Sequence, residues 1–195
     1  MRLVPHTPAA ALLNASLIFG PLGFLFLDVT YSVRGWWDAS TGMVHILVAA
    51  AYGVTAIRLV TLARGRLQAV LLVVAVLGVV GNAGVGDDTM HVGLGGNDLF
   101  REGAAVAHLW SLVGFFFPLT FLIAAVALWP LVPRWIPVLV AIGAVVFPVA
   151  HVWNVSWLAI LDALVMVVAL GGVFACRAEY DGMLSDAEPH TSVRV

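Results

Sequence analysis

The chain has 195 residues, of which 62% are hydrophobic and only 10% are charged, and its mean hydropathy is +1.04. Soluble domains carry about a quarter of their residues as charged side chains, so this composition excludes a water-soluble globular domain and requires contact with lipid. The formal net charge of −2 and the absence of a basic stripe argue against nucleic-acid binding, and the single cysteine, Cys176, excludes an internal disulfide.

Six apolar runs follow one another along the chain, and each is long enough to cross the hydrocarbon layer as a helix. They are residues 9–27, 43–63, 67–86, 104–128, 135–153 and 155–176. The predicted fold class is therefore an all-α, polytopic integral membrane bundle of about six transmembrane helices, forming one domain over residues 1–176. Residues 177–195 are predicted to be a polar, flexible cytoplasmic tail. Pro21, Pro118 and Pro148 lie inside runs and predict kinks.

The placement of arginine predicts the orientation. Six arginines fall on one side of the predicted bundle: Arg2, Arg58, Arg64, Arg66, Arg134 and Arg177. Only Arg34 and Arg101 fall on the opposite side. Because cytoplasmic loops are enriched in basic residues, we expect both termini in the cytoplasm. The use of Arg without any Lys, together with the richness in Ala, Val, Leu and Gly, is typical of a GC-rich bacterial genome, so the expected location is a bacterial inner membrane.

Most other ionisable residues fall on the outer side of this frame. His45 opens the second run, His151 closes the fifth, and Asp162 lies about 10 Å deep in the sixth at 1.5 Å per residue. Ionisable groups inside a membrane are costly and usually mark function. We therefore predict Asp162, His151 and His45 as catalytic residues, and we expect Asp162 to pair with His151 or His108. Five outer tryptophans suggest either an interfacial belt or the lining of a substrate pocket: Trp36, Trp37, Trp110, Trp153 and Trp157.

The segment from residue 86 to residue 108 contains the strongest chemical motif. It places Asp87 four residues before His91, then Asp98, and then His108 at the start of the fourth run. Two imidazoles and one or two carboxylates are suitable ligands for a divalent metal such as copper, zinc or iron. Asp87, His91, Asp98 and His108 are therefore the predicted metal ligands. Three glycines, Gly93, Gly95 and Gly96, would let the intervening loop fold back over the site.

This segment resembles the metal-site loop in the C subunit of the copper-containing membrane monooxygenases, the particulate methane and ammonia monooxygenases. That loop has Asp-x3-His, an Asp, and a second His that opens the next helix. Asp87, His91 and His108 match it in order and type, and Asp98 stands at the loop Asp, over about 22 of 195 residues. The segment departs from the family in a longer gap before His108 and in Asn97, which stands where the family has Arg. The resemblance implies a metal site more than it implies methane chemistry, and it favours copper over zinc or iron as the metal.

Four functions remain open from the sequence. The first is a membrane metalloprotein, a metal-dependent oxidoreductase acting on a small lipophilic molecule. The second is a metal-free acid/base enzyme, a cyclase or isomerase acting on a lipid or isoprenoid. The third is a b-type haem protein with two of His45, His108 and His151 as axial ligands. The fourth is a non-enzymatic subunit of a homo- or hetero-oligomeric membrane complex. Transport is disfavoured because no inverted repeat is visible.

Overall fold

The computed structural model describes residues 7–99 and 105–187, with the side chains of 105–107, 109–111 and 177–187 left outside that description. It confirms an all-helical fold: within these residues there are six helices and no strand. The helices are α1 (Pro8–Arg34), α2 (Ala39–Leu62), α3 (Gly65–Gly93), α4 (Ala105–Leu128), α5 (Trp135–Val152) and α6 (Ser156–Ala187). Five of them are long and apolar enough to cross a membrane, and α4 contributes the shorter apolar segment Leu112–Leu128.

The six helices form a closed ring. Each helix packs against its neighbours in the chain, α6 packs back against α1, and one weaker contact crosses the ring between α2 and α4. Large apolar side chains such as Phe26, Val76 and Val168 are exposed on the outside of the ring, where lipid takes the place of water. The inside of the ring contains buried polar residues, including Asp28, His45 and Asp162.

Three helices extend further than the apolar runs predict. Helix α1 continues to Arg34, so Asp28 lies about 9 Å inside the helix end at 1.5 Å per residue. Helix α3 continues to Gly93, so Asp87 and His91 belong to its last two turns and not to the connection that follows it. Helix α6 continues to Ala187, eleven residues past the predicted end at Cys176. Residues 188–195 of the predicted tail lie outside the described residues.

The connection between α1 and α2 is fixed by the side chain of Asp38. Its Oδ1 accepts hydrogen bonds from the backbone N–H of Thr41 at 2.9 Å and from the Nε of Arg34 at 2.9 Å. The first bond caps the N-terminus of α2, and the second ties that cap to the last residue of α1. The guanidinium of Arg34 holds the pKa of Asp38 well below its usual range, so the carboxylate stays ionised and keeps both bonds at neutral pH.

Glycines bring α3 into backbone contact with both of its neighbours. A Cβ built on Gly81 would lie 2.5 Å from the carbonyl carbon and oxygen of Val113 in α4. A Cβ on Gly42 of α2 would lie 2.6 Å from the carbonyl oxygen of Gly86 in α3. Small residues are the usual means by which membrane helices approach closely, because packing rather than hydrophobic burial holds them together. These contacts fix the position of α3, which places Asn82 and Asp88 inside the ring.

We expect Gly81→Ala to lower the free energy of unfolding by about 1–3 kcal/mol, the usual cost of overpacking, because the added methyl group meets the backbone of α4. Thermal or denaturant unfolding in detergent measures this change. Gly171→Ala is the matched control, since its Cβ would meet only the Cδ1 of Ile18, at 3.8 Å. Equal stability of the two variants would contradict the close packing of α3 on α4.

Candidate functional site

A cavity of about 410 Å³ opens inside the ring, at the end where α1 ends and α2 begins. This volume is within the range of ligand-binding pockets, which are mostly apolar with a few convergent polar groups. Its apolar wall consists of Trp36, Trp37, Val85, Phe115, Phe147 and Val152, together with Gly114 and the helix prolines Pro118 and Pro148. Its polar wall consists of Tyr31, His45, Asn82, Asp88, Thr89, Asp98, His151 and Asn154.

His151 and Asp28 form a hydrogen-bonded pair at the wall of this cavity. The Nε2 of His151 lies 3.1 Å from the Oδ1 of Asp28, and the two side chains are 14% and 1% exposed. The Nδ1 of His151 lies 2.9 Å from the carbonyl oxygen of Phe147, one turn earlier in the same helix. A buried carboxylate behind an imidazole fixes the orientation of the ring and favours its charged form. The Nδ1 is therefore the nitrogen for which a bound molecule can compete.

A second chain of hydrogen bonds runs through His45. The hydroxyl of Tyr31 donates to the Nδ1 of His45 at 2.6 Å, and the Nε2 of His45 donates to the Oδ1 of Asn82 at 3.2 Å. The hydroxyl of Thr89 lies 3.3 Å from that of Tyr31 and donates to it in this arrangement. The chain joins α1, α2 and α3. It engages both ring nitrogens of His45, which is 3% exposed, so this histidine is held in one orientation.

The segment after α3 folds back over the end of that helix. The backbone N–H of Leu99 donates to the Oδ1 of Asp88 at 3.0 Å, and a Cβ on Gly96 would overlap the ring of His91. The turn passes through Gly95, whose φ of 92° is strained for other residues. This fold-back brings Asp98 to the cavity wall.

Asp162 lies in a second, smaller cavity. This cavity has a volume of about 20 Å³ and is lined by Asp28, Tyr52, Gly143, Phe147, Asp162 and Met166, among others. Five aromatic rings, Phe24, Tyr52, Phe117, Phe121 and Phe147, pack around it, with centroid distances of 4.6–6.0 Å. Asp162 is 4% exposed, and its Oδ1 has no hydrogen-bond partner in the part of the chain that the structure describes.

The structure brings two of the three predicted catalytic residues together. His45 and His151 line the large cavity, whereas Asp162 does not. The prediction that His151 pairs with Asp162 is wrong, because the Nε2 of His151 bonds Asp28. Helix α1 is longer than the apolar run, and this length places Asp28 inside the ring in reach of α5. His108, the other predicted partner, is exposed on α4.

The four predicted metal ligands are placed differently. Asp87 and His91 are both exposed on the last two turns of α3, in the predicted i,i+4 spacing. Asp98 lines the large cavity, and His108 is exposed. Among the described residues no three His, Cys, Asp or Glu side chains lie close enough to hold a metal ion. This donor set does not fit a metal centre as it stands, and Glu102 of the same loop lies outside the described residues. Copper binding stays a prediction.

The haem prediction meets a chemical constraint. All four ring nitrogens of His45 and His151 have hydrogen-bond partners. An iron atom would have to displace one of these bonds at each of the two histidines that it binds. The sequence suggested that the outer tryptophans form either an interfacial belt or a pocket lining. Trp36 and Trp37 line the large cavity, whereas Trp153 and Trp157 are exposed.

Sequence reasoning missed Tyr31 and Thr89 and did not assign Asp28, Asn82 or Asp88 to the site. Helical spacing contains part of the signal. Asp28 and Tyr31 are three residues apart and share a face of α1, as Asn82 and Thr89, seven apart, do on α3. This pattern was hidden because both segments continue past the apolar runs.

No protein-family model, curated protein or solved structure matches the chain. The resemblance to the monooxygenase loop therefore stays a prediction that depends on the residues of that segment alone.

We expect Tyr31→Phe to lower the free energy of unfolding by about 1–3 kcal/mol, because the buried Nδ1 of His45 loses its partner. Unfolding of the single variants and of the double variant with His45→Leu completes a double-mutant cycle. The cost of Tyr31→Phe should largely disappear in the His45→Leu background. An unchanged cost there would mean that the two side chains do not interact.

Proposed function

We propose that this multi-pass membrane protein is an acid/base enzyme that acts on a small lipophilic molecule bound in the large cavity. The observation that supports this best is the pairing of His151, at the cavity wall, with the buried carboxylate of Asp28. In this role the Nδ1 of His151 exchanges a proton with the substrate, and Asp28 orients the ring and stabilises its charged form.

The hydrogen-bonded chain through Tyr31, His45 and Asn82 supports substrate positioning rather than proton transfer. Both ring nitrogens of His45 are engaged, so this side chain holds Tyr31 and Asn82 rigidly at the cavity wall. Helix α4 adds a backbone acceptor. Pro118 has no N–H, so the carbonyl of Gly114, which lines the cavity, lacks its usual helical donor. Polar groups on an apolar wall suit a molecule with one oxygenated end.

The aromatic wall indicates the substrate class. Trp36 and Tyr31 stack with ring centroids 4.6 Å apart, and Phe147 stacks on His151 at 3.9 Å. Such rings give apolar contact to a hydrocarbon skeleton and stabilise positive charge that develops on it through cation–π attraction. A lipid or isoprenoid undergoing isomerisation or cyclisation by protonation fits this environment. Each reaction adds one proton to the substrate and removes another, and the His151–Asp28 pair can carry out both transfers.

We further propose that the protein lies in a bacterial inner membrane with both termini in the cytoplasm. The excess of arginine at the end of the ring that holds the termini supports this orientation. In that orientation the large cavity is at the outer face.

Proton transfer predicts deuterium incorporation. Purified protein incubated in D2O with a total lipid extract of the expressing bacterium should introduce deuterium into a specific lipid, detected by mass spectrometry. His151→Gln and Asp28→Asn should reduce this incorporation at least a hundredfold, the lower range of general acid–base catalysis. Gly114→Leu should also abolish it, because Gly114 lines the cavity and a Cβ added there meets nothing from the rest of the protein within 4 Å.

Two controls separate this proposal from the alternatives. Leu112→Phe changes an exposed position on the same helix and should leave incorporation intact. A chelator should also have no effect. Three results together would favour the metal-dependent oxidoreductase instead. Incorporation would be lost with the chelator, copper would restore it, and the His91→Ala variant would show no incorporation. If the wild type and His151→Gln introduced the same amount of deuterium into the same lipids, the acid/base role of His151 would be excluded.

Orientation has its own test. Green fluorescent protein fused after residue 195 should fluoresce in bacteria, whereas alkaline phosphatase at the same position should be inactive, because it needs the oxidising periplasm. An active phosphatase fusion would reverse the proposed orientation.

A further inference from the structure

Asp162 has no part in the proposed reaction as described so far, although it is the deepest acid that the structure describes on α6. It is 4% exposed, and its Oδ1 is buried without a partner. A carboxylate left ionised in such surroundings is costly, and a carboxyl group in an apolar site is stable when it keeps its proton. Packing alone does not explain a buried carboxyl group inside an aromatic cluster.

The small cavity connects Asp162 with the proposed catalytic pair. Asp28 and Asp162 both line it, and Asp28 is 1% exposed. Its volume of about 20 Å³ exceeds the roughly 10–15 Å³ that one water molecule requires. A buried water also needs two to four polar partners, and the carboxyl groups of Asp28 and Asp162 with the hydroxyl of Tyr52 supply three candidates on this wall.

We infer that the small cavity holds one water molecule that links Asp162 to Asp28, and that Asp162 is the proton reservoir of the His151–Asp28 pair. The use of the stored proton depends on the proposed function, whereas the relay itself does not. Asp162 gives its proton to the water oxygen while the water gives one of its own protons to Oδ2 of Asp28. The water is unchanged, Asp162 becomes a carboxylate, and the pair regains the proton that the Nδ1 of His151 gave to the substrate.

The return step balances this transfer. When His151 accepts a proton from the reacting molecule, the pair passes one back through the water to Asp162. Phe147 lines both cavities. Under this inference, the Asp162 proton exchanges with solvent through Asp28 and His151. Asp162 is thus a positioning and storage residue that does not touch the substrate.

Infrared difference spectroscopy tests the inference without any substrate. The wild-type protein should show the carbonyl band of a protonated carboxylic acid, and this band should be lost in Asp162→Asn. On transfer to D2O the band should shift as the proton exchanges. Asp28→Asn and His151→Phe should slow this exchange at least tenfold. Ala144→Val should do the same without changing a titratable group, because Ala144 lines the small cavity.

Asp38→Asn is the matched control, since it alters a carboxylate outside the ring and should change neither the band nor its exchange. If Asp162→Asn fails to fold, Gly143→Ala replaces it: its Cβ would lie 3.1 Å from the Oδ1 of Asp162, and the band should shift in frequency. Absence of an Asp162-dependent band, or exchange that is equally fast in all variants, would overturn the inference. A normal band and relay without deuterium in any lipid would overturn only the proposed function.

Discussion

Polar side chains inside an apolar ring of helices must find their partners within the protein, because lipid supplies none. This constraint explains the bond between Asp28 and His151. It joins α1 to α5, two helices that do not pack directly against each other in the described part of the chain. The bond between Tyr31 and Thr89 likewise joins α1 to α3 across the ring. Helix packing closes the circumference, and hydrogen bonds determine which faces of the helices meet inside it.

The polar groups divide into two sets with different consequences. Tyr31, His45 and Asn82 form a chain in which Tyr31 and His45 each have two partners, which favours rigidity, whereas the Nδ2 of Asn82 is buried without a partner among the described residues. His151 and Asp28 form a pair that borders both cavities, one residue on each. Under the proposed function the first set positions a molecule and the second moves a proton. Because the His151–Asp28 pair borders both cavities, it differs from an isolated structural hydrogen bond.

The sequence predicted the helical membrane fold and the number of helices, because hydropathy over about 20 residues is a strong signal. It predicted the helix ends less well. Apolarity falls at Asp28 and at Asp87, whereas the backbone continues as helix to Arg34 and to Gly93. The gathering of His45 and His151 at one end was predictable from their depth. The partner of His151 was not, because the rotation of α1 relative to α5 depends on packing around the whole ring, which no local pattern records.

Phe147 separates the two cavities, since its ring lines both and stacks on His151. Under the proposed function, the space available to a bound hydrocarbon chain ends at this one side chain. Selectivity for chain length follows from its size: a smaller residue at position 147 would join the two spaces and admit a longer molecule as far as Asp162. The smaller residue would also expose the carboxyl group of Asp162 to any molecule bound in the large cavity. Under the proposed function and the inferred relay, substrate length and isolation of the stored proton are thus linked through a single aromatic ring.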